Sequence, residues 1–188
     1  HCGYAALQRY FEHLSSLQIR LIKGQVCANY KPEDISMPEG AVDYDTAIER
    51  YKLALLSAVA KRAKSSEKAY LCLNLSWALR SRLEEMSPDD PETQALYNEY
   101  QEQAESYYEQ AFEGFTKAIA TENYPICGMD ECTLDYLLSA LAYHFKKYDI
   151  ASKCISRILQ SRSATKKMKD RAFELKQMIV SELRQGKQ

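Results

Sequence analysis

Hydrophobic residues return every three or four positions along most of the chain, which is the periodicity of amphipathic α-helices. The clearest stretch is residues 44–55, where aromatic residues alternate with alanines such as Ala47 down one helical face. The same spacing returns around Ala111 and, more loosely, around Ala151. Small residues let two helices approach and large ones fill the space between them. The pattern therefore predicts a stacked array of about six or seven helices.

Polar and helix-breaking residues set the expected ends of these helices. Asp43 or Asp45 is expected to cap the second helix and Asp130 the fifth, while Gly24 is expected to end the first. The last helix places its polar residues outwards, as a capping helix of a repeat array must. The predicted helices span residues 4–23, 43–62, 65–82, 93–122, 130–145, 148–159 and 165–183.

Irregular segments are few, and we predict a single domain over residues 1–188. Residues 24–42 carry Pro32 and Pro38 without a sustained period, so they are expected to form an irregular loop. Shorter breaks are expected at residues 86–91 and at the turn of residues 123–128.

Composition excludes several function classes. A net charge of −1 supplies no general attraction to nucleic acid or to anionic membranes, so neither is expected as a partner of this chain. No apolar run reaches the roughly 20 residues of a membrane span, and the six cysteines are scattered as in reduced proteins. We expect a cytoplasmic protein.

The long fourth helix is predicted to carry an acidic face. Glu102, Glu105, Glu109 and Glu113 follow one another at intervals of three or four, so they share one side of the helix. Like charges at this spacing repel by a few tenths of a kcal/mol per pair, and a compensating cation is expected. The clusters at residues 61–64 and 166–169 could provide it.

Catalytic and metal-binding patterns are weak, and the sequence predicts no enzyme. No motif places a nucleophile beside a base, and no Glu-x-x-His element accompanies the acidic helix. Cys127 and Cys132 do not have the spacing of a zinc knuckle. The 14 tyrosines leave open an alternative, a small-molecule sensor or enzyme with a Tyr-lined pocket.

Residues 43–55 resemble the second helix of a tetratricopeptide unit, and residues 138–151 resemble the junction of both helices of another. The anchors Ala47, Ala111 and Ala151 lie 64 and 40 residues apart, whereas the regular period is about 34, so the repeats are irregular. The fold class is expected to be an all-α, irregular, tetratricopeptide-like antiparallel array. The resemblance implies a binding groove lined by the first helix of each pair. Its candidate residues are Asn74, Arg80, Tyr143, His144 and Lys146.

A second resemblance covers nearly the whole chain. The His1–Ala6 segment, the helix of residues 44–55, the helix around Trp77 and the hairpin of residues 134–151 are, in this order, similar to the bacterial domain of unknown function 2225 family. In that family a Cys-x-x-Cys-Gly-Tyr-Ala element closes a zinc-ribbon-like part. Residues 1–6 then represent a remnant of it, and Cys2 becomes a zinc ligand only in the intact protein.

These observations favour a cytoplasmic scaffold that binds an unknown protein or peptide. The resemblance assigns no molecular function to the family, and it implies no cofactor for this fragment. Besides the Tyr-lined pocket, nucleic-acid binding through the absent zinc ribbon stays open as an alternative.

Overall fold

The computed structural model describes residues 2–31, 42–88 and 90–185. These residues form seven α-helices and no strand, so the predicted all-α fold class is confirmed. The helices are α1 Ser16–Ile22, α2 Tyr44–Ala60, α3 Ser65–Glu85, α4 Gln94–Thr121, α5 Glu131–His144, α6 Tyr148–Gln160 and α7 Lys166–Gln185.

The first helix differs from the prediction at both ends. The helix expected from residue 4 starts at Ser16, because the Ser15 hydroxyl accepts a hydrogen bond from the Gln18 N–H and the Gln18 side chain accepts one from the Ser15 N–H. This capping box closes the helix against N-terminal extension, and upstream only a 3₁₀ turn forms, at Gln8–Tyr10. The prediction of a helix over residues 4–15 was wrong.

Gly24 does not end α1, which was also predicted wrongly. The chain continues through a π turn at Lys23–Cys27. This turn brings Val26 into the same core cluster as Ile22 and Ala60, where all three side chains are buried. Of the loop expected at residues 24–42, the first residues therefore belong to the π turn, and residues 32–41 lie outside the described part.

The other predicted boundaries agree closely with the structure. Asp43 caps α2 by accepting a hydrogen bond from Thr46 N at 2.8 Å, and Asp130 caps α5 through Thr133 N at the same distance. The long fourth helix is α4, and the alanine anchors fall on alternate helices: Ala47 on α2, Ala111 on α4 and Ala151 on α6. The sequence pattern thus marked every second helix.

The chain divides into two compact units, His1–Gly114 and Phe115–Gln188, and α4 runs across the boundary. The single domain expected over residues 1–188 stays a prediction.

In unit 1, α2, α3 and α4 share a core of small and aliphatic residues. Ile48, Leu75, Leu79 and Ala104 are buried together. The Ser76 hydroxyl, fully buried, donates a hydrogen bond to the Ala104 carbonyl at 2.7 Å and so ties α3 to α4. Close approach of these helices continues towards the end of the unit.

Gly114 marks that approach. A Cβ atom at this position would lie 2.7 Å from the Ala69 Cβ, closer than real Cβ contacts allow. The missing side chain therefore lets α4 lie directly against α3. By contrast, a Cβ at Gly24 would meet no atom within 4 Å.

In unit 2, α5 and α6 form a hairpin and α7 packs on both. The Asp135 carboxylate, only 2% exposed, is held by the Arg157 guanidinium from α6, with Nε at 2.8 Å and Nη2 also bonded. The hydroxyls of Tyr143 and Tyr148 donate to the two carboxylate oxygens of Glu182, which joins α7 to the hairpin.

Two of the turns between helices use the same cap. Arg62 after α2 and Lys146 after α5 both adopt a left-handed conformation with φ of 54°. In each case the N–H of the following residue closes the helix end: Ala63 N bonds the Ala58 carbonyl, and Lys147 N bonds the Ala142 carbonyl. This is the hydrogen-bond pattern of a Schellman motif, with a basic residue at the position that glycine usually occupies.

Candidate functional site

The central helix α3 is buried on most of its circumference. Nine of its residues are buried, among them Leu71, Leu75 and Leu79, which are at most 1% exposed. Trp77 is the exception, because 47% of this large side chain is exposed. A half-exposed Trp on a helix that otherwise buries its large apolar side chains marks a candidate binding surface.

Three more residues lie on the same side of α3 as Trp77. Tyr70, Asn74, Trp77 and Ser81 follow one another at intervals of four, three and four, so they form one line along the helix. Tyr70, Asn74 and Ser81 are half-buried. We call these four residues the α3 stripe.

Asn74 is fixed within the stripe by its own helix. Its Nδ2 donates to the Tyr70 carbonyl one turn earlier, at 2.6 Å. No residue in the described part of the chain bonds its Oδ1, so the half-buried amide keeps an acceptor that is not used within these residues. This local hydrogen bond uses the amide nitrogen and leaves the amide oxygen as a candidate binding group.

Arg80 flanks the stripe on the side of α4. Its Nη2 lies 3.2 Å from Glu105 Oε2, and its guanidinium carbon lies 4.2 Å from the centroid of the Tyr108 ring. Burial raises the pKa of the Tyr108 hydroxyl, so this ring stays neutral beneath the cation. Arg80 thus compensates one carboxylate of the acidic helix and joins α3 to α4.

The other end of the stripe also carries a cation. The Arg9 guanidinium carbon lies 5.4 Å from the centroid of the Tyr70 ring. Guanidinium groups commonly stack on aromatic faces in this way. The stripe is therefore an aromatic and amide surface between two arginines.

The remaining predicted groove residues lie in unit 2. Tyr143 bonds Glu182, His144 is exposed with its ring 4.9 Å from that of Phe145, and Lys146 forms the left-handed cap of α5. Two of these three residues have clear structural tasks. Asn74 and Arg80 lie in unit 1, so a common binding role for all five stays a prediction.

Trp77 was missed by the sequence analysis. Its signal was present, since the only Trp of the chain stands three residues after Asn74 and seven after Tyr70. The run around it is apolar nearly all round, however, and periodicity alone could not tell its outer side from its inner one.

One cavity in unit 1, with a volume of about 280 Å³, lies beside the start of α3. Lys61 and Glu67 line it and form a buried ion pair, with Nζ 2.7 Å from Oε1. Tyr10 is the one tyrosine among the described residues that line this cavity, and His13 also lines it. The described lining therefore does not bring together the several tyrosine hydroxyls that the sensor alternative expects.

Cys2 and Cys27 are both free thiols, and each influences the pKa of the other. The Tyr4 backbone N–H lowers the pKa of the Cys2 thiol, whereas burial raises that of Cys27. Zinc takes about four ligands, and residues 2–31, 42–88 and 90–185 supply no third donor here. The described residues therefore do not build a zinc site at Cys2, and zinc in the intact protein stays a prediction.

The comparisons with known proteins place these findings in one family. A family model described as "Uncharacterized protein conserved in bacteria (DUF2225)" matches residues 1–179, as the sequence resemblance implied. No curated protein and no solved structure matches the chain. Among the described helices, none is long and apolar enough to cross a membrane.

Proposed function

The chain belongs to the bacterial DUF2225 family, whose description names no activity, and from its geometry we propose a helical scaffold that binds a segment of another protein. The segment lies along the α3 stripe in this proposal. The observation that carries it is Trp77, 47% exposed on a helix whose other large side chains are mostly buried.

The chemistry of the stripe suits a peptide. Trp, Tyr and Arg dominate the few residues that supply most of the binding energy at protein interfaces. Trp77 offers an apolar anchor surface, while Asn74 Oδ1 can accept a hydrogen bond from a backbone N–H.

A binding role is favoured over catalysis because the residues of the stripe contain no nucleophile beside a base. The cytoplasm is the proposed location. All six cysteines are free thiols, which is typical of proteins in a reducing compartment.

The test begins with affinity capture by the intact protein and mass spectrometry, and each captured segment is then synthesised as a peptide. Since the chain has one Trp, its emission reports on the stripe directly. We expect a saturable change of emission on addition of the peptide. Labelled peptide should bind Trp77→Ala at least about tenfold more weakly, the size of a single interface hot spot.

Val59→Ala is the matched control, because Val59 is an apolar residue on α2 with 54% exposure and lies outside the stripe. Its affinity for the peptide should equal that of the wild type. If Trp77→Ala and Asn74→Ala bind every captured segment as tightly as the wild type does, the stripe is not the binding surface.

A further inference from the structure

The outer face of α7 is not the uniformly polar surface expected of a capping helix. Its inner face buries Ala172, Leu175 and Ile179. On the outside, Phe173, Val180 and Leu183 are 50%, 38% and 45% exposed. Large apolar groups are thus presented to solvent by a helix whose packing face is already occupied.

These apolar residues belong to one continuous line. Starting at Lys166, intervals of three and four residues alternate to Leu183, which is the spacing of a helix-packing seam. At 1.5 Å per residue the seam is roughly 25 Å long. We call it the α7 seam, and its members are Lys166, Lys169, Phe173, Lys176, Val180 and Leu183.

The charges of the seam all have one sign. Lys166, Lys169 and Lys176 stand on it, Arg184 lies beside its end, and no acidic residue interrupts it. None of these four cations forms an ion pair with another residue of the described ranges. The acidic residues of α7 stand elsewhere, and Glu182 is bound by Tyr143 and Tyr148.

We propose that the α7 seam docks an acidic amphipathic helix of a partner protein. Apolar residues of that helix, spaced by three and four, pack on Phe173, Val180 and Leu183, while its carboxylates meet the lysines. The surface lies in unit 2 and is independent of the α3 stripe, so the scaffold holds two different segments.

The probe is a fluorescein-labelled synthetic helix of three heptads. Each heptad has Leu at two positions spaced by three and four residues, which form its apolar face, and Glu at the neighbouring positions. It is titrated with the full chain while fluorescence anisotropy is followed at low and at moderate salt. We expect saturable binding that weakens with salt, because charge attraction contributes to it. Trp77 emission should stay unchanged, which separates this result from binding at the α3 stripe.

The decisive variant is Phe173→Ala/Val180→Ala, which removes exposed groups only and should keep the helical circular dichroism and melting temperature. We expect its affinity for the probe to fall at least about tenfold. Met178→Ala is the matched control. Met178 is 49% exposed on the same helix but off the seam, so this change should leave the affinity unaltered.

Three outcomes would overturn the proposal. One is equal binding of a scrambled peptide with the same composition, which would mean that charge alone attracts it. Another is equal loss in Met178→Ala and in Phe173→Ala/Val180→Ala. The third is binding to phosphatidylglycerol vesicles, dependent on Phe173, in the absence of peptide binding, which would assign the seam to an anionic membrane surface instead.

Discussion

Lys61 Nζ lies 2.7 Å from Glu67 Oε1, and both side chains are about nine-tenths buried, with 7% and 10% exposure. Lys61 immediately follows α2, and Glu67 lies in the first turn of α3. The pair therefore closes the α2–α3 turn. It also explains why Lys61, part of a basic cluster in the sequence, is not available to the acidic helix.

Removal of Glu67 should destabilise the protein strongly, because the buried Lys61 cation would lose its counter-charge and keep, within the described residues, only its hydrogen bond to the Tyr10 carbonyl. We expect Glu67→Ala to lower the free energy of unfolding by about 3 kcal/mol, and Lys61→Met/Glu67→Leu to recover most of that loss. Urea unfolding measures the free energy of unfolding of both variants. Glu49→Ala, which removes the exposed partner of Lys52, is the control and should cost below about 1 kcal/mol. Equal losses in Glu67→Ala and Glu49→Ala would contradict the argument.

Gly114 and Gly24 should respond oppositely to alanine. Helix propensity alone predicts a gain of up to about 1 kcal/mol at both positions. At Gly114 the new Cβ would clash with Ala69, so we expect a net loss of about 1–3 kcal/mol in unfolding free energy. Gly24→Ala meets open space and should gain stability. Thermal melts compare the melting temperature of each variant with that of the wild type. A higher melting temperature for Gly114→Ala would refute close packing of α3 and α4.

Glycine should improve the cap of α5. Lys146 holds a left-handed conformation, which is unfavourable for residues with a Cβ by roughly 1–2 kcal/mol. Glycine removes this cost, but part of the gain is lost because glycine has more conformational freedom in the unfolded chain. Lys146→Gly should therefore raise the free energy of unfolding by about 0.5–1 kcal/mol. Lys147→Gly serves as control, since Lys147 has a φ of −84° and should gain nothing. A lower melting temperature for Lys146→Gly would point to a separate role of its side chain.

The Tyr143–Glu182–Tyr148 cluster should make stability depend on pH at both extremes. The two hydroxyls lower the pKa of Glu182 below its ordinary 4.5, so its stabilising effect is complete above pH 4.5 and is lost as the pH falls through the folded value. The same bonds raise the pKa of Tyr148 to about 12, so the effect is complete below pH 10.0 and is lost as the pH rises through about 12.

Glu182→Gln tests this window. Its urea midpoint should lie below that of the wild type at neutral pH, and the difference should shrink as the pH falls below 4.5. Glu174→Gln is the control on the exposed part of α7. A constant difference between wild type and Glu182→Gln across the acid range would show that the carboxylate charge does not stabilise the cluster.

The sequence was sufficient for the elements whose signals are local. Asp43 and Asp130 act as caps because their side chains bond an N–H three residues later, which can be read directly from the chain. The start of α1 was missed although its signal, Ser15 with Gln18, is equally local, since the apolar period upstream continues the helical template. At this position the capping box determines where the helix starts, and the apolar periodicity upstream does not extend it.

The candidate site depended on information that the sequence does not carry. Whether Trp77 or Leu73 faces solvent is decided by the helices packed around α3, and both are apolar. Glu182 meets Tyr143 across 39 positions, and nothing local indicates that pairing. Asn74 and Arg80 could be nominated because they are polar residues on a helix that is otherwise largely apolar.

One buried cysteine in each unit allows the transient opening of that unit to be followed separately by its rate of alkylation. Cys72 in α3 and Cys154 in α6 are 3% and 1% exposed, one in each unit. Burial raises the pKa of the Cys72 thiol to about 11 and also raises that of Cys154, so alkylating reagents reach reactive thiolate only during transient opening. Mass-resolved labelling rates of the two cysteines would therefore tell whether the halves of this chain open together or one before the other.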